Sequence, residues 1–558
     1  MSHAPRAADV RWLTPPVVLI AATILVFGQC ATFGWTNWDD QLHVTENPKF
    51  QPTAFSHLFD FWREPFERLY IPLTYMLFAV ETWLGRLLVA AEPVAVPPAS
   101  VFHVTSIALH IGCVLLVWRL LTALVARPWP ATAGAVLFAI HPLQVESVAW
   151  ISEQRGLLAG LFSFAALYCR WWALQSDEGR RRRLSAAAFL MMVAAVLSKP
   201  SAMTLPLLAG AIDLLALKAP WRRVVHELAP WFALSLIVAA GTKFLQPDAI
   251  VADRPSLWLR PFIAGDALAF YAMKLFVPLN LGIDHGRTPA FVLSDSLACA
   301  VALGMLAALG LAFGIFAWRA WRLPVTLFVA PLLPVLGLVP FSFQHVSTVA
   351  ERYAYVAMLG PSLGLAMLVS QIARAGRYAE ITKGTIVAGL SALGAASVVQ
   401  AGSWRDCETL YGQAIRANPI SHHARNNLGT ALLDAGRLDR AAEYLQQSVA
   451  RKPDFAKSRF NLATCLHRLG RRQAAFEHYE AALGLDPAHA DAHNNLGILF
   501  AEEGRMREAI HHFQSAIAIR EYFPDAQRNL YKAMQSLENK VDADTATVPG
   551  AERDRVTP

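Results

Sequence analysis

Long apolar runs recur through the first part of the chain and stop near residue 400. A helix needs about 20 mostly apolar residues to cross ~30 Å of hydrocarbon, and many of these runs approach that length. The pattern predicts about eleven membrane spans, at residues 16–34, 101–122, 132–151, 157–173, 184–200, 202–217, 228–243, 296–317, 323–341, 354–373 and 384–402. We therefore expect an all-α fold in which residues 1–402 form a polytopic helix bundle.

Two further apolar stretches, residues 70–90 and 259–280, carry charged residues in the middle of the run. Counting either as a span would break the alternation of basic loops along the chain. Their amphipathic pattern predicts helices that lie at the membrane interface.

Basic residues cluster in alternate loops, as at Arg180 to Arg183 and at Arg319 with Arg322. Short loops rich in Lys and Arg stay in the cytoplasm. The N-terminus is then cytoplasmic, and the loop 35–100 and the C-terminal part face the opposite side. The high Ala and Arg content indicates a bacterial inner membrane with a periplasmic tail, although an endoplasmic reticulum membrane with a luminal tail would give the same topology.

From about residue 403 the composition turns polar and a period of 34 residues appears. The period relates Leu428, Leu462, Leu496 and Leu530, and also Pro419, Pro453 and Pro487. It resembles the tetratricopeptide repeat, a helix-turn-helix unit that stacks into an α-solenoid with a concave groove for a peptide or protein. We place this array at 403–538 and expect a disordered tail at 539–558.

Composition limits the possible functions. Hydrophobic residues make up 55% of the chain, charged residues 16%, and mean hydropathy is +0.35, which excludes a purely soluble enzyme. The net charge is +7, but the arginines lie in loops between apolar runs, so no nucleic-acid partner is predicted. The six cysteines form no CxxC pair and no HExxH motif occurs, so we expect neither a metal nor a cofactor.

Two adjacent carboxylates, Asp39 and Asp40, follow the first predicted span directly. Adjacent acids repel, so at least one is poised to accept a proton, as a general base must. The alternative is an ordinary solvated start of a loop.

Ionisable residues within or beside the apolar runs form a second group of candidates. His141 and Glu146 lie in the predicted third span, and Glu153 follows it at a spacing that shares a helical face with Glu146 if the helix continues. These residues either bind substrate or form a buried polar network that sets helix packing.

Several segments occur in a distinctive order before the repeat array. They are Asp39-Asp40, His141 to Trp150, Ser152 to Arg155, Leu197 to Pro200 and Ala350 to Tyr353. In this order they resemble the transmembrane and TPR-repeat-containing family of protein O-mannosyltransferases, within the GT-C superfamily of membrane glycosyltransferases. The resemblance covers nearly the whole chain.

The resemblance implies inverting transfer of a monosaccharide, commonly mannose, from a polyprenyl-phosphate donor to Ser or Thr hydroxyls of exported proteins. Asp39 is then the preferred base, with Asp40 beside it, and the repeats engage the acceptor. The candidate ligands of the donor phosphate are Arg352, Lys199 and Arg155, and the candidate substrate-binding residues are His141, Glu146, Glu153, Glu351 and Tyr353.

Each cation also has a structural alternative. Arg352 could pair with Glu351 or anchor at the interface, Lys199 could extend to the membrane surface, and Arg155 could pair with a nearby glutamate.

Two other functions remain possible. One is a membrane-anchored repeat scaffold for envelope assembly or secretion without catalysis, although an anchor needs only one span. The other is a transporter, which the absence of two similar Gly/Pro-broken halves disfavours.

Overall fold

The computed structural model describes residues 7–50, 58–89, 96–245, 255–314, 316–372 and 379–546. Over these residues the chain is helical and contains no β-strand, which confirms the all-α prediction. It divides into two compact units, Met1–Pro419 and Ile420–Pro558, called here the membrane unit and the repeat unit.

The helices of the membrane unit begin and end as follows: α1 Ala7–Phe27, α2 Asp60–Arg63, α3 Pro72–Val89, α4 Ala99–Val125, α5 Pro128–Ile140, α6 Val145–Ala149, α7 Gln154–Ala173, α8 Glu178–Ser198, α9 Leu205–Ala211, α10 Trp221–Leu245, α11 Arg260–Phe276, α12 Pro289–Ser294, α13 Ser296–Gly314, α14 Arg322–Val329, α15 Leu359–Ile372, α16 Ala379–Ala401 and α17 Cys407–Ala417. Short 3-10 or π-helical turns connect many of them.

Four helical segments in the described part of the chain are long and apolar enough to cross a membrane: Thr14–Thr32, Ala99–Val125, Trp221–Leu245 and Glu380–Trp404. Shorter apolar helices lie at Pro128–Ile140, Pro200–Ala216, Ser296–Leu311 and Leu359–Ile372. The chain is therefore a membrane protein, but the predicted count of eleven spans is not confirmed.

The predicted span 132–151 is broken. Pro142 has no backbone N–H and holds His141 in an extended conformation, so α5 ends at Ile140. Trp150 is also extended, and it separates α6 from α7. The expectation that Glu146 and Glu153 share one face of a continuous helix is therefore wrong.

The stretches 70–90 and 259–280 form the predicted helices, α3 and α11. Neither is among the four segments long and apolar enough to cross a membrane in the described residues. Their position at the membrane interface stays a prediction.

The core of the membrane unit lies where α4 packs against α5 and α7, with α15 against α5. His110 of α4 is buried there, with Nδ1 at 2.8 Å from the Tyr355 hydroxyl and Nε2 at 3.0 Å from the Ala139 carbonyl oxygen. These contacts tie α4 to α5 and to the segment after Glu351. The connection from α5 to α7, which contains His141, Glu146 and Glu153, therefore joins two helices that both pack against α4.

The repeat unit contains α18 His422–Asp434, α19 Leu438–Arg451, α20 Ala456–Arg468, α21 Arg472–Leu485, α22 Ala490–Glu502, α23 Met506–Ile519 and α24 Pro524–Ala546. The turn inside each pair needs a left-handed residue, and Gly436, Gly470 and Gly504 supply it at φ +72°, +75° and +75°. Successive pairs therefore have the same local geometry, which is the architecture of a repeat solenoid.

The predicted bounds of the repeat array, 403–538, stay predictions, and the structure shows which contacts its two ends make. Helix α17 belongs to the membrane unit, where Gln413 donates to the Leu281 carbonyl at 2.9 Å and Asn418 donates to Asp284 at 3.1 Å. The last helix continues past residue 538 to Ala546. The rest of the predicted tail, residues 547–558, lies outside the described residues.

Candidate functional site

The carboxylate of Asp40 is buried and fully hydrogen-bonded. Its Oδ2 accepts from the Thr36 backbone N–H at 3.3 Å and hydroxyl at 2.8 Å, and its Oδ1 accepts from the Ser152 backbone N–H at 3.1 Å and hydroxyl at 2.5 Å. Burial raises the pKa of Asp40, and the donors on Ser152 and Thr36 oppose that rise. Asp40 therefore tethers the loop after α1 to the start of α7 and has no oxygen left for a substrate.

The neighbouring Asp39 is open. Its side chain is 38% exposed, and its Oδ2 lies 4.0 Å from a guanidinium nitrogen of Arg155. Desolvation in this recess raises the pKa of Asp39, while the positive charges of Arg155 and Arg352 oppose the rise. Of the two adjacent carboxylates, Asp39 is the one placed to accept a proton.

Glu153 joins two of the candidate cations. It is completely buried, its Oε2 accepts from Arg155 Nε at 3.1 Å, and its Oε1 binds the Lys199 ammonium. Burial alone would raise the pKa of Glu153, but Lys199, Arg155 and Arg352 outweigh it and lower the pKa. Glu153 is therefore held as an anion that fixes Arg155 and Lys199 side by side.

Gly156 makes this arrangement possible. A Cβ at this position would collide with Oε1 of Glu153 and would lie 3.2 Å from Lys199 Nζ. Only a glycine lets the first turn of α7 approach the ion pair so closely.

Arg352 is clamped by Glu146. The guanidinium Nη1 donates to Glu146 Oε1 at 2.5 Å, and the Arg352 backbone N–H donates to Oε2 at 2.8 Å. Burial would lower the pKa of Arg352, but the carboxylates of Glu146 and Glu153 raise it. Arg352 thus keeps its charge although it is buried.

Aromatic rings surround these cations. The Arg352 guanidinium lies 4.4 Å from the Phe343 ring centroid, 5.0 Å from that of Tyr353 and 5.4 Å from that of Trp150. The Arg155 guanidinium also lies 5.4 Å from the Trp150 centroid. Trp150 therefore contacts both guanidinium groups through cation–π interactions.

Glu351 and His141 have other partners. Glu351 Oε1 accepts from the Gly282 backbone N–H at 2.9 Å and lies 2.6 Å from His285 Nε2. His141 Nδ1 accepts from the Leu143 N–H at 3.1 Å, and its Nε2 lies 3.0 Å from the Leu275 carbonyl oxygen. These contacts hold the two side chains against other parts of the chain, and neither residue joins the group around Asp39.

A cavity opens beside Lys199 and Arg352. Its polar lining includes these two cations with Tyr353, Ser201 and Thr204, and its apolar lining includes Leu205, Leu208 and Val335. The lining of this cavity therefore combines positive charge and hydroxyl groups with apolar surface.

Several residues at the site were not predicted as site residues from the sequence. Thr36 and Ser152 hold Asp40, and Trp150 contacts both guanidinium groups. His43 and Tyr75 form a buried pair, with Nδ1 at 3.0 Å from the hydroxyl oxygen. Burial lowers the pKa of His43 to about 3, with a smaller contribution from Arg155, so its ring is neutral. Most of these residues lie in or beside the motif segments, but their roles depend on distant partners.

Within the described ranges, no group of three or more His, Cys, Asp and Glu side chains is arranged to hold a metal ion. The expectation of a reaction without metal or cofactor stays a prediction.

A comparison with family models supports the repeat assignment. A family model for the tetratricopeptide repeat matches residues 395–454, 427–489 and 462–524. The crystal structure of MamA protein matches 24% of this chain and 74% of its own at 24% identity, with a TM-score of 0.23.

Two curated relatives each match more than two thirds of the chain. Protein O-mannosyl-transferase F38B6.6 of Caenorhabditis elegans is 23% identical over 79% of this chain and 63% of its own length. Protein O-mannosyl-transferase TMTC4 of Mus musculus is 25% identical over 73% of this chain and 62% of its own length. The chain thus spans less than two thirds of these relatives. Its similarity to them, together with its tetratricopeptide repeats, confirms the resemblance to the transmembrane and TPR-repeat-containing protein O-mannosyltransferases.

Proposed function

We propose that the protein is a GT-C type glycosyltransferase that moves mannose from a polyprenyl-phosphate donor to Ser or Thr hydroxyls of proteins. The observation that carries this proposal is the contrast between the two aspartates. Asp40 is saturated by hydrogen bonds, whereas Asp39 is open beside Arg155. The relatives named as protein O-mannosyl-transferases support the same class of reaction.

The proposed reaction is a single displacement with inversion. Asp39 takes the proton of the acceptor hydroxyl, the hydroxyl oxygen forms a bond to the anomeric carbon, and the bond from that carbon to the phosphate oxygen breaks. The lipid phosphate leaves with the electron pair and needs no proton. One carboxylate is therefore sufficient, unlike the carboxylate pair of the glycoside hydrolases.

A departing phosphate needs positive charge and hydrogen-bond donors. Lys199 and Arg352 line the cavity, and Glu146 engages only one guanidinium nitrogen of Arg352. Arg352 can therefore offer its other N–H groups to phosphate oxygens, and Lys199 acts as a point charge. The apolar residues of the same cavity, such as Leu205 and Leu208, would contact the lipid next to the phosphate.

The repeat unit supplies the protein-binding function. Tetratricopeptide repeats present an extended concave surface of the kind that binds peptides and proteins. We propose that this surface holds the acceptor protein. We further propose that the protein lies in a bacterial inner membrane, with its N-terminus cytoplasmic and its repeats periplasmic.

The test is transfer of radiolabelled mannose from polyprenyl-phosphate-mannose to a Ser/Thr-rich peptide by the full chain in lipid nanodiscs. Asp39→Asn keeps the size of the side chain but removes the base, so we expect the transfer rate to fall by about 10³-fold. The matched control is Asp60→Asn, because Asp60 is also an acidic residue between α1 and α3 but pairs loosely with Arg63 at 3.8 Å. The control variant should transfer at the wild-type rate.

Nuclear magnetic resonance of the product gives the anomeric configuration and tests inversion directly. Transfer by Asp39→Asn at the wild-type rate, with folding intact, would contradict the proposal. Such a result would favour a scaffold that recruits partners without chemistry.

A further inference from the structure

A second cavity in the membrane unit lies at the other end of α7 from Glu153. Its lining includes Trp171, near the end of α7, and Lys218, after which it is called here the Lys218 cavity. At about 1.5 Å of rise per residue, Trp171 lies about 24 Å along the helix from Arg155. The Lys218 cavity has a volume of about 720 Å³, which is within the usual range for ligand sites. It is therefore separate from the cavity beside Lys199.

The charged residues in the lining of the Lys218 cavity are all cations. Lys218 follows the turn after α9, Arg319 lies just before α14, and Arg322 is the first residue of α14. No Asp or Glu is present among the described residues of the lining. Arg127 adds positive charge beside the cavity, because its Nη1 donates to the carbonyl oxygen of Ser370, another lining residue, at 3.2 Å. The cavity therefore attracts an anion.

Much of the remaining lining is apolar, and part of it belongs to the end of a candidate membrane helix. Leu124 and Val125 are the last two residues of α4, one of the four segments long and apolar enough to cross a membrane. If α4 crosses the membrane, its last turn lies where the hydrocarbon meets water. Leu214 and Leu215 also line the cavity, and both are exposed. The cavity thus combines cations with apolar surface at the level expected for lipid headgroups.

The backbone fixes the position of Lys218. Its φ of +53° lies in the left-handed region, which glycine adopts more easily than lysine. The Ala219 backbone N–H donates to the Asp213 carbonyl oxygen at 2.9 Å, and the Asp213 carboxylate accepts from Arg170 Nη2 at 2.7 Å. Because Arg170 lies on α7, these bonds tie the segment that carries Lys218 to that helix. A position that favours glycine therefore holds a cation at the edge of the cavity.

We infer that the Lys218 cavity binds the phosphate headgroup of an anionic phospholipid, whose acyl chains lie against the leucines. Guanidinium groups bind phosphate oxygens in pairs, and a lysine adds a point charge. A free phosphate ion would use the cations but would leave the apolar lining without a partner, so a lipid is the better match. Because this cavity is separate from the one beside Lys199, the inference does not depend on the proposed function.

The first test is native mass spectrometry of the full chain in an uncharged detergent, titrated with phosphatidylglycerol or phosphatidylcholine of the same acyl chains. We expect the first phosphatidylglycerol to bind at least about tenfold more tightly, because it alone carries a net negative charge toward the cations. Millimolar inorganic phosphate should not displace it, because phosphate has no acyl chain to bury.

A triple variant removes the positive charge of the lining. Lys218→Gln/Arg319→Gln/Arg322→Gln should bind phosphatidylglycerol at least about tenfold more weakly than the wild type. Its affinity for phosphatidylcholine should stay the same, since that lipid gains little from the cations.

The matched control removes three cations elsewhere. Arg180→Gln/Arg182→Gln/Arg183→Gln changes three exposed residues at the start of α8, none of which lines the Lys218 cavity. The two triple variants lose the same charge, so a difference between them reports the cavity and not the overall charge. The control should bind phosphatidylglycerol within about twofold of the wild type, because distant exposed charges are screened.

A single variant separates binding from folding. Lys218→Gly removes one cation and adopts φ +53° without strain, so its melting temperature in uncharged detergent should stay near that of the wild type. Its affinity for phosphatidylglycerol should fall about three- to fivefold. This variant tests the inference even if the triple variant fails to fold.

Each contrary result overturns the inference. These results are equal affinity for the two lipids, displacement by inorganic phosphate, wild-type binding by the Lys218 triple variant or by Lys218→Gly, or an equal loss of binding in the control. Failure of the proposed reaction has a different signature, because phosphatidylglycerol binding would persist in a protein that transfers no sugar.

Discussion

The membrane unit and the repeat unit differ in how far apart along the sequence their hydrogen-bonded polar side chains lie. In the membrane unit, Asp40 bonds to Ser152 across 112 positions, and Glu146 bonds to Arg352 across 206. In the repeat unit, Asn461 bonds to Asn426 across 35 positions, about one repeat. Each polar contact at the site occurs once and depends on the arrangement of the whole unit, whereas a contact in the array has equivalents in other repeats.

The largest expected effect separates chemistry from partner binding. Asp39→Asn should lower the transfer rate by about 10³-fold, within the usual range for loss of a general base. Its melting temperature should stay near that of the wild type, because the Asp39 side chain is 38% exposed and its nearest cation is 4.0 Å away. Peptide binding should also persist. A variant that loses peptide binding together with transfer would show that the two units do not act separately.

A second pair of variants compares buried and exposed charge. Glu153→Gln leaves Arg155 and Lys199, which are 14% and 16% exposed, without their shared anion, so we expect about 3–5 kcal/mol of destabilisation. In the repeat unit, Glu502 is 37% exposed beside Arg472, and Glu502→Gln should cost less than about 1 kcal/mol. Thermal unfolding in nanodiscs measures both, and equal costs would contradict the contrast between the two units.

The pH dependence of transfer should come from the membrane unit. Asp39 acts as a base only when ionised, so kcat/KM should fall about tenfold per unit as pH drops below its pKa. Because desolvation raises that pKa above the ordinary 3.8, the fall begins at a higher pH than for a solvated aspartate. Peptide binding measured over the same range provides the comparison. A rate that stays constant down to pH 4 would contradict the assignment of Asp39 as the base.

The smallest expected effect concerns backbone geometry in the repeats. Gly470 has φ +75°, so Gly470→Ala should destabilise the repeat unit by about 1–2 kcal/mol. Gly484 lies inside α21 with open space around its missing Cβ, so Gly484→Ala should stabilise the helix by about 0.5–1 kcal/mol. Chemical denaturation of the two variants, compared with the wild type, should show opposite signs.

The same difference in range explains what the sequence could predict. The 34-residue period predicted the helix pairs because each repeat's contacts are local. It did not predict that α17 would pack with Leu281 and Asp284, because that choice depends on the membrane unit. The hydropathy of the chain predicted the all-α bundle. It did not predict the breaks at His141 and Trp150, because an apolar run has the same hydropathy whether it forms one long helix or several short helical segments.

At the site, the sequence drew attention to Asp39 and Asp40 but could not distinguish their surroundings. Two adjacent aspartates look equivalent until Thr36 and Ser152 are seen to bond to one of them. The pairing of Glu146 with Arg352 was equally hidden, because it joins two segments far apart in the chain. The roles of all these residues in the proposed reaction stay predictions.

Gly156 bears on any attempt to rebuild this site in another protein. The position of the Glu153 carboxylate between Arg155 and Lys199 depends on a backbone that comes closer than any side chain would allow. Grafting the three charged residues onto other helices, with Glu153 and Arg155 at the start of one and Lys199 after the end of another, would reproduce their chemistry but not their spacing. A designer would have to copy the glycine, the first turn of α7 and the end of α8 together.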